Sequence, residues 1–422
     1  DVTAFMEWLR AKRGVECADY RALWRWSVSD VAVFWESLWD YFGMESPTPY
    51  RAVLENPVMP GARWFPGARV NFAEQLLRQA RPGETALYHL SELAELQSMT
   101  WDELGRQVRC VATWLRELGV RPGDRVASYL PNVPQTVVAM LATAAVGGIW
   151  SSCSPDFGVK SVLDRFSQVR PKVVFAVDGY RYGGKDFDRR PETTEIVAGL
   201  PDLETLVYLP YLDRGDSGIQ VPGKVRVALW DELVPAGQDR PEFTFEATPF
   251  EHPLWIVYSS GTTGLPKPIV HSHGGITLEM LKLSHFHFNL KPGGVMFFHT
   301  TTGWVMWNIV VGSLLSGAAA VLYDGNPAYP DTDVLWRMAA ESGTTFFGVS
   351  PTYVGLMQKN GIHPRERYDL SRIEGVLLGG SPVTPESMVW CYENIHGDLW
   401  LTSQSGGTDV ASGFVGASPT LP

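Results

Sequence analysis

The sequence predicts an α/β fold in which two mostly parallel βα subdomains stack behind a helical N-terminal extension. From about residue 85 onward, apolar runs of strand length alternate with stretches of helical period. Before that point the pattern is helical, with aromatic residues clustered at Trp24, Trp26, Trp35, Trp39 and Trp64 and no alternation. The loops after the later strands are rich in Gly, Ser, Thr and Pro, as suits ligand-binding loops at the carboxyl edge of a parallel sheet.

Residues 1–84 form the extension. The first subdomain, 85–250, carries strands at Ala86–His89, Arg125–Leu130, Gly148–Ser151 and Val173–Val177. Helices are expected between them at Thr100–Leu118, Pro134–Val146 and Val159–Val169. Thr100 and Glu103 make a capping-box pair for the first helix, and Gly119 is placed to end it. Residues 210–250 are rich in Gly, Pro and charge, with one strand-like run at Val225–Leu229, and read as a connector. The second subdomain, 251–422, has strands near Leu254–Tyr258, Val295–His299, Ala319–Tyr323, Thr345–Val349, Gly375–Leu378 and Leu399–Thr402. Thr384-Pro385 is a helix start, an N-cap followed by Pro at the first helical position.

Composition narrows the function classes. A chain of 422 residues is too long for one ordinary core. Hydrophobic residues make up 45% and charged residues 19%, the balance of a well-buried globular protein. The net charge of −11 argues against generic binding to nucleic acid or anionic membranes, while leaving room for a local basic pocket. Cys17, Cys110, Cys153 and Cys391 are scattered without C-x-x-C spacing, which argues against zinc and a disulfide framework and for a reducing cytosol. Cys153 and Cys391 read as small buried hydrophobes. No run reaches the apolar length of a membrane span. The start at Asp1 without Met and the stop at Pro422 predict a piece of a longer chain.

The chemistry concentrates first in Tyr258-Ser-Ser-Gly-Thr-Thr-Gly-Leu-Pro-Lys267. Gly261 and Gly264 let backbone N–H groups turn inward as an anion nest. Ser259, Ser260, Thr262 and Thr263 add hydroxyl donors, and Lys267 adds a point charge. The preceding run Leu254–Tyr258 reads as a strand buried on both faces. The spacing is not that of a Walker A loop. The loops at 259–267, 300–304, 350–352, 379–382 and 403–409 share this composition and point to one composite site.

This loop, followed by His271-Ser-His273-Gly-Gly, resembles the signature of the adenylate-forming superfamily of acyl-CoA synthetases, luciferases and adenylation domains. Thr300-Thr-Thr-Gly-Trp-Val-Met-Trp-Asn308 is similar to its acyl-site segment, Gly379-Gly-Ser-Pro382 to its adenine segment, and Ser405-Gly-Gly-Thr-Asp409 to its magnesium-binding segment. Trp24-Arg-Trp-Ser27 and Arg63-Trp-Phe-Pro-Gly67 resemble the acetyl-CoA synthetase branch. The resemblance implies an ATP-dependent acid–thiol ligase: a carboxylate attacks the α-phosphorus of ATP, pyrophosphate leaves, and the CoA thiol then displaces AMP. Two anions meet in the first step, so charge neutralisation and alignment matter more than proton transfer.

By the same resemblance, residues 259–264 and Lys267 hold the β- and γ-phosphates, Thr408 contacts the α-phosphate, and Asp409 holds Mg²⁺. Gly380, Ser381, Pro382 and Ser405 frame the adenine, although Ser405 stands where an aromatic residue usually stacks. Trp304, Val305, Met306, Asn308, Gly379 and Gly406 form the acyl pocket. Acetate-specific relatives carry a Trp at the position of Gly406 and a branched residue at that of Gly379, so two glycines imply a larger acid. Acetoacetate leads, ahead of acetate and propionate, with Asn308 or the Trp304 N–H as donor to its keto oxygen. Trp150 is matched to CoA adenine stacking, and Arg181 with Lys185 to its ribose phosphate. The ribose-binding Asp, the hinge and a C-terminal lid domain with the catalytic Lys, a site of possible regulation by acylation, fall beyond Pro422. For residues 1–422 by themselves this implies weak nucleotide binding and little turnover.

Taken without the resemblance, several of these residues have plainer roles. Asp409 would cap a turn, Gly379 and Gly406 would be turn glycines, and Arg181 and Lys185 would lie on a solvated loop. Trp304 and Trp307 would be core, and His271 and His273 structural.

Overall fold

The computed structural model describes residues 1–216, 218–259 and 264–421. Its main strands in chain order are β1 (Thr85–Ser91), β2 (Ala94–Thr100), β3 (Arg125–Tyr129), β4 (Ile149–Cys153), β5 (Val173–Val177), β6 (Thr205–Leu209) and β7 (Arg226–Leu229). They continue with β8 (Pro253–Ser259), β9 (Lys267–Ser272), β10 (Val295–Phe298), β11 (Ala319–Asp324), β12 (Phe346–Val349), β13 (Gly375–Leu378) and β14 (Trp400–Ser403).

Two seven-stranded sheets result, ordered β7-β6-β5-β3-β4-β8-β9 and β14-β13-β12-β10-β11-β1-β2. Each is parallel except for its last strand, which returns as a hairpin. The strands do not divide at residue 250. The early hairpin β1–β2 completes the second sheet, and the later hairpin β8–β9 completes the first. Reading βα units in sequence order could not reveal this, because a hairpin pattern does not say which sheet edge it joins.

Local signals explain most boundaries. The helix Trp101–Glu117 starts where Thr100 Oγ1 accepts the Glu103 N–H at 3.2 Å, and Gly119 follows its end at φ +85°. Only half of the capping box forms, because the Glu103 carboxylate turns to Arg106 and Gln107, each at 2.6 Å. Thr384 caps Pro385–Asn394 as expected. The expectation omitted β6, a fully buried strand whose five residues lie between Pro201 and Pro210.

The extension comprises helices Val2–Arg13, Tyr20–Ser29 and Val31–Tyr41. It docks through aromatic contacts: Phe5 meets Phe286 at 5.0 Å between ring centroids, and Trp39 stacks on Phe65 at 4.8 Å. Phe65 in turn meets Phe250 at 4.9 Å. A Cβ on Gly274 would collide with the Phe250 ring, which accounts for the first glycine after His273. Among the described residues no helix is long and apolar enough to cross a membrane.

Candidate active site

In the second sheet the chain leaves β10 for β11 on one side, while β12 lies on the other. Such a reversal opens a crevice at the carboxyl ends of the strands. The His299 N–H donates to the Gly348 carbonyl at 3.0 Å there. The ring of Phe298 floors the crevice: a Cβ on Gly348 would collide with it, and one on Gly379 would lie 3.5 Å from it. The sequence reading missed Phe298, since an aromatic at a strand end signals only core.

The loops after β10, β12, β13 and β14 all leave this edge. Behind β12 the loop is short, because Ser350 already caps the helix Pro351–Lys359. After β13, Gly380 takes φ +95°, and Gly380, Ser381 and Pro382 are exposed.

The fifth loop comes from the first sheet. Ser259 and Lys267 pair directly across the neck of the β8–β9 hairpin. Lys267 therefore begins a strand, and the loop is a hairpin tip rather than a strand-to-helix turn. Gly264 is left-handed at φ +116°. Ser260, Gly261, Thr262 and Thr263 lie outside the described residues. The β8 run is buried at Leu254–Ile256 and half-buried from Val257 to Ser259, so its outer end is less enclosed than expected.

Two relays join the sheets at this edge. Trp255, fully buried in β8, donates its indole N–H to His271 Nδ1 at 2.9 Å. His271 Nε2 then carries the proton and donates to the Asp409 carbonyl at 3.0 Å. Burial holds the His271 pKa below its ordinary value, consistent with a neutral ring whose Nδ1 must accept. The second relay runs from Ser152 Oγ to the Thr302 carbonyl at 2.6 Å, with Thr302 Oγ1 donating to the Leu130 carbonyl at 2.7 Å. His273 is structural: Nδ1 accepts from the Phe72 N–H at 3.1 Å, and burial lowers its pKa to about 3. Nothing local in the sequence marks Trp255 or Ser152 as partners of these loops.

Asp409 is held by its main chain, and among the described residues its exposed carboxylate has no hydrogen bond or ion pair. No cluster of three possible metal ligands occurs among those residues either. A lone free carboxylate suits Mg²⁺, which commonly retains waters and takes substrate phosphates as further ligands. Thr408 beside it is half-buried, and Ser405 is exposed.

Residues 304–308 run inward from solvent. Trp304 is 65% exposed, Val305 and Met306 are half-buried, and Trp307 is buried with its N–H on Asn132 Oδ1 at 2.9 Å. Asn308 is 1% exposed, and neither end of its amide has a partner among the described residues. The two glycines expected to open the acyl pocket differ. Gly379 has ordinary room for a Cβ, whereas a Cβ on Gly406 would collide with the Ser412 carbonyl oxygen. Gly406 lies in Ser405–Gly407, which pairs with Ser412–Val415, and close backbone approach alone requires its glycine.

Trp150 does not join Arg181 and Lys185. It lies in β4 at 1% exposure, in the core cluster, 6.5 Å from the ring of Phe175. Its expected stacking on an adenine is corrected: the indole is packed within the core and offers no open face to a ligand. Arg181 and Lys185 do share one hairpin, Gly179–Tyr182 with Lys185–Asp188. Arg181 is paired with Asp186 at 2.6 Å, and Lys185 is exposed.

A two-sheet α/β body with Gly-, Ser- and Thr-rich loops meeting at a switch point is suited to holding a phosphate-bearing ligand such as a nucleotide. The chain belongs to the AMP-binding enzyme family, whose profile matches residues 72–409; that of the acetyl-coenzyme A synthetase N-terminus matches 20–76. It is 42% identical to an acetoacetyl-coenzyme A synthetase of Rhizobium meliloti (strain 1021), over 99% of this chain and 63% of that protein. It is 40% identical to the acetoacetyl-CoA synthetase of Danio rerio, over 97% of this chain and 62% of the relative. The solved acetoacetyl-CoA synthetase from Streptomyces lividans superposes with a TM-score of 0.95 at 50% identity, covering 100% of this chain and 65% of that one. The chain thus spans less than two thirds of the length of these relatives.

Proposed function

We propose that this chain carries the nucleotide- and acid-binding part of an AMP-forming ligase that joins acetoacetate to CoA. The acetoacetate carboxylate attacks the α-phosphorus of ATP, giving acetoacetyl-AMP and pyrophosphate. The CoA thiol then attacks the acyl carbon, AMP leaves, and the thioester forms. The observation that carries this reading is the match along nearly the whole chain to proteins named for that acid.

The hairpin tip at 259–264 with Lys267 takes the departing pyrophosphate, and Thr408 lies toward the α-phosphate. A Mg²⁺ held at Asp409 would neutralise charge as the two anions meet. Gly380, Ser381, Pro382 and Ser405 border the adenine. Trp304, Val305, Met306 and Gly379 line the acid site, with Asn308 at its inner end. Another relative, 34% identical, is a malonamoyl-CoA synthetase of Penicillium aethiopicum. Malonamoyl and acetoacetyl groups both carry a carbonyl at the third carbon, so a buried amide donor suits either. Four unpaired cysteines favour a reducing compartment such as the cytosol.

The test is ATP–pyrophosphate exchange by the complete natural protein with acetate, propionate, butyrate and acetoacetate, followed by thioester formation with CoA. Acetoacetate is expected to give the highest kcat/KM. Fastest exchange with acetate would overturn the choice of acid, and adenylation without transfer to CoA would overturn the ligase.

A further inference from the structure

The helix Val305–Gly312 has no capping side chain among the described residues. Its N-cap is Trp304, whose indole can donate but offers the first-turn N–H groups no acceptor. The rotation of this first turn is therefore set from outside, and the hold comes from the first sheet. Asn132, 6% exposed in the segment after β3, accepts the Trp307 indole N–H on Oδ1 at 2.9 Å. Its Nδ2 donates to the Tyr323 carbonyl, in β11, at 3.3 Å. An indole N–H only donates and a carbonyl only accepts, so a single orientation of the amide serves both.

The same segment also holds the loop that leads into the helix, since Thr302 Oγ1 donates to the Leu130 carbonyl at 2.7 Å. Thr302 and Trp307 are both tied to residues 130–132 of the other sheet. Beside Trp307 stands Asn308, buried, with neither end of its amide partnered among the described residues. A buried amide without partners costs about 1–3 kcal/mol per group, and such a group suits a polar ligand atom that pairs with it. Successive helical residues are about 100° apart on one rigid turn, so whatever fixes Trp307 also fixes the direction of Asn308.

We propose that Asn132 is a positioning residue for recognition of the acid. Through Trp307 it sets the rotation of the first helical turn, and with it the direction of the Asn308 amide. This rests on the reading above that Asn308 meets the keto oxygen of the acid. Asn132 has both ends of its own amide engaged by protein groups, so it acts through Trp307 and Asn308 makes the contact.

The experiment measures the ratio of kcat/KM for acetoacetate over butyrate in the complete natural protein, with Asn308→Leu, Asn132→Leu and the double variant. Each single change is expected to lower the ratio by about tenfold, with the KM for MgATP within about twofold of wild type. Because Asn132 acts through Asn308, the double variant should lower the ratio no further than Asn308→Leu alone. Asn132→Asp, which keeps the acceptor for Trp307 and loses the donor to Tyr323, should retain more of the ratio than Asn132→Leu. Trp307→Phe, which keeps an aromatic ring and removes the N–H, should repeat the loss and replaces Asn132→Leu if that variant does not fold. A ratio unchanged in Asn132→Leu and Trp307→Phe but lowered in Asn308→Leu would overturn the positioning role and leave Asn308 as the acid contact. A ratio unchanged in Asn308→Leu would overturn the acid reading itself. Losses that add in the double variant, or that fall equally on both acids, would make Asn132 a general structural residue and reject the proposal.

Discussion

The loops after β13 and β14 leave neighbouring strands of one sheet, and each holds a glycine expected to enlarge the acid site. They use that glycine in different ways. At Gly379 a Cβ would be in ordinary contact with the Phe298 ring, so the residue leaves real space. At Gly406 the space is already filled by the Ser412 carbonyl, and Ser412 is itself held through its hydroxyl to the Glu279 carboxylate. A glycine in a binding motif can thus mark either a void for the ligand or an approach of two backbones. The sequence cannot separate these roles, because the second partner is supplied by a distant or returning segment. A relative with Trp at the position of Gly406 must route the carbonyl of residue 412 differently.

The sharpest break between the two loops should come from Gly406→Ala. Its Cβ cannot be accommodated without moving the Ser405–Gly407/Ser412–Val415 ribbon, which also sets Thr408 and Asp409. We expect a loss of about 2–4 kcal/mol of stability. Pyrophosphate exchange should fall by about two orders of magnitude, read by thermal melts and exchange kinetics. A variant that melts like wild type and merely prefers acetate would show that Gly406 is a void after all.

The loops also differ in what holds them. His271 ties the Asp409 carbonyl to Trp255, whereas Gly379 is tied by main chain alone, its N–H donating to the Val349 carbonyl at 3.1 Å. His271→Ala leaves the buried indole N–H unpaired and frees the Asp409 turn, at about 1–3 kcal/mol. The KM for MgATP should rise more than that for acetoacetate. The relay is also acid-sensitive. Burial lowers the pKa of His271, of His273 to about 3, and of His89, His285 and His299 each to about 4. Below their ordinary value of 6.5 the unfolded chain binds protons that the folded chain refuses, so stability is present above that pH. It should fall as pH drops from about 6.5 toward 4, each ring adding a slope of up to about 1.4 kcal/mol per pH unit. Denaturant melts at pH 7.5, 6 and 5 measure this, and a flat profile would contradict it.

Local pattern made much of this architecture readable, and long-range pairing hid the rest. Val173–Val177, Gly375–Leu378 and the helix Val159–Val169 stand where apolar runs and period place them. The sheet exchange of β1–β2 and β8–β9 was not readable, since either hairpin satisfies local rules on either edge. The loops leaving the carboxyl ends of β10, β13 and β14 were readable from composition, because strand-to-loop turns there are rich in Gly, Ser, Thr and Pro. Trp150 was misread because a motif position says nothing about which face of a strand it occupies. Trp255 left no local signal, since its partner is the ring nitrogen of His271 across the β8–β9 hairpin, and the carbonyl that His271 holds in turn lies 138 residues on.

Deeper along the proposed acid site, Asn308 bears on the same contrast between space and contact. A buried amide without partners is a liability in the free protein, retained at a cost of about 1–3 kcal/mol per unsatisfied group. Asn308→Leu, close in volume, should therefore raise the melting temperature by a few degrees, an order-of-magnitude expectation from the same term. If the amide meets the keto oxygen of the acid, kcat/KM for acetoacetate should fall about tenfold or more while that for butyrate changes little. A fall shared equally by both acids would remove Asn308 from acid recognition.

The smallest effect is expected at Gly379→Ala. Its φ is not left-handed, and the added methyl meets the Phe298 ring at an ordinary 3.5 Å, so stability should change by no more than about 0.5 kcal/mol. Selectivity should move instead. If the proposed acid site lies here, one methyl group at the floor of the crevice removes room that acetoacetate would fill and acetate would not. The ratio of kcat/KM for acetoacetate over acetate should drop by about tenfold, the lower end of the range for a single methylene-sized change in a pocket. The comparison with Gly406 turns on that ratio: the same added atom should unfold a ribbon at one loop and re-rank two acids at the other. If Gly379→Ala leaves the ratio unchanged, the acid does not reach the Phe298 ring, and the crevice floor must be sought nearer Val305 and Met306.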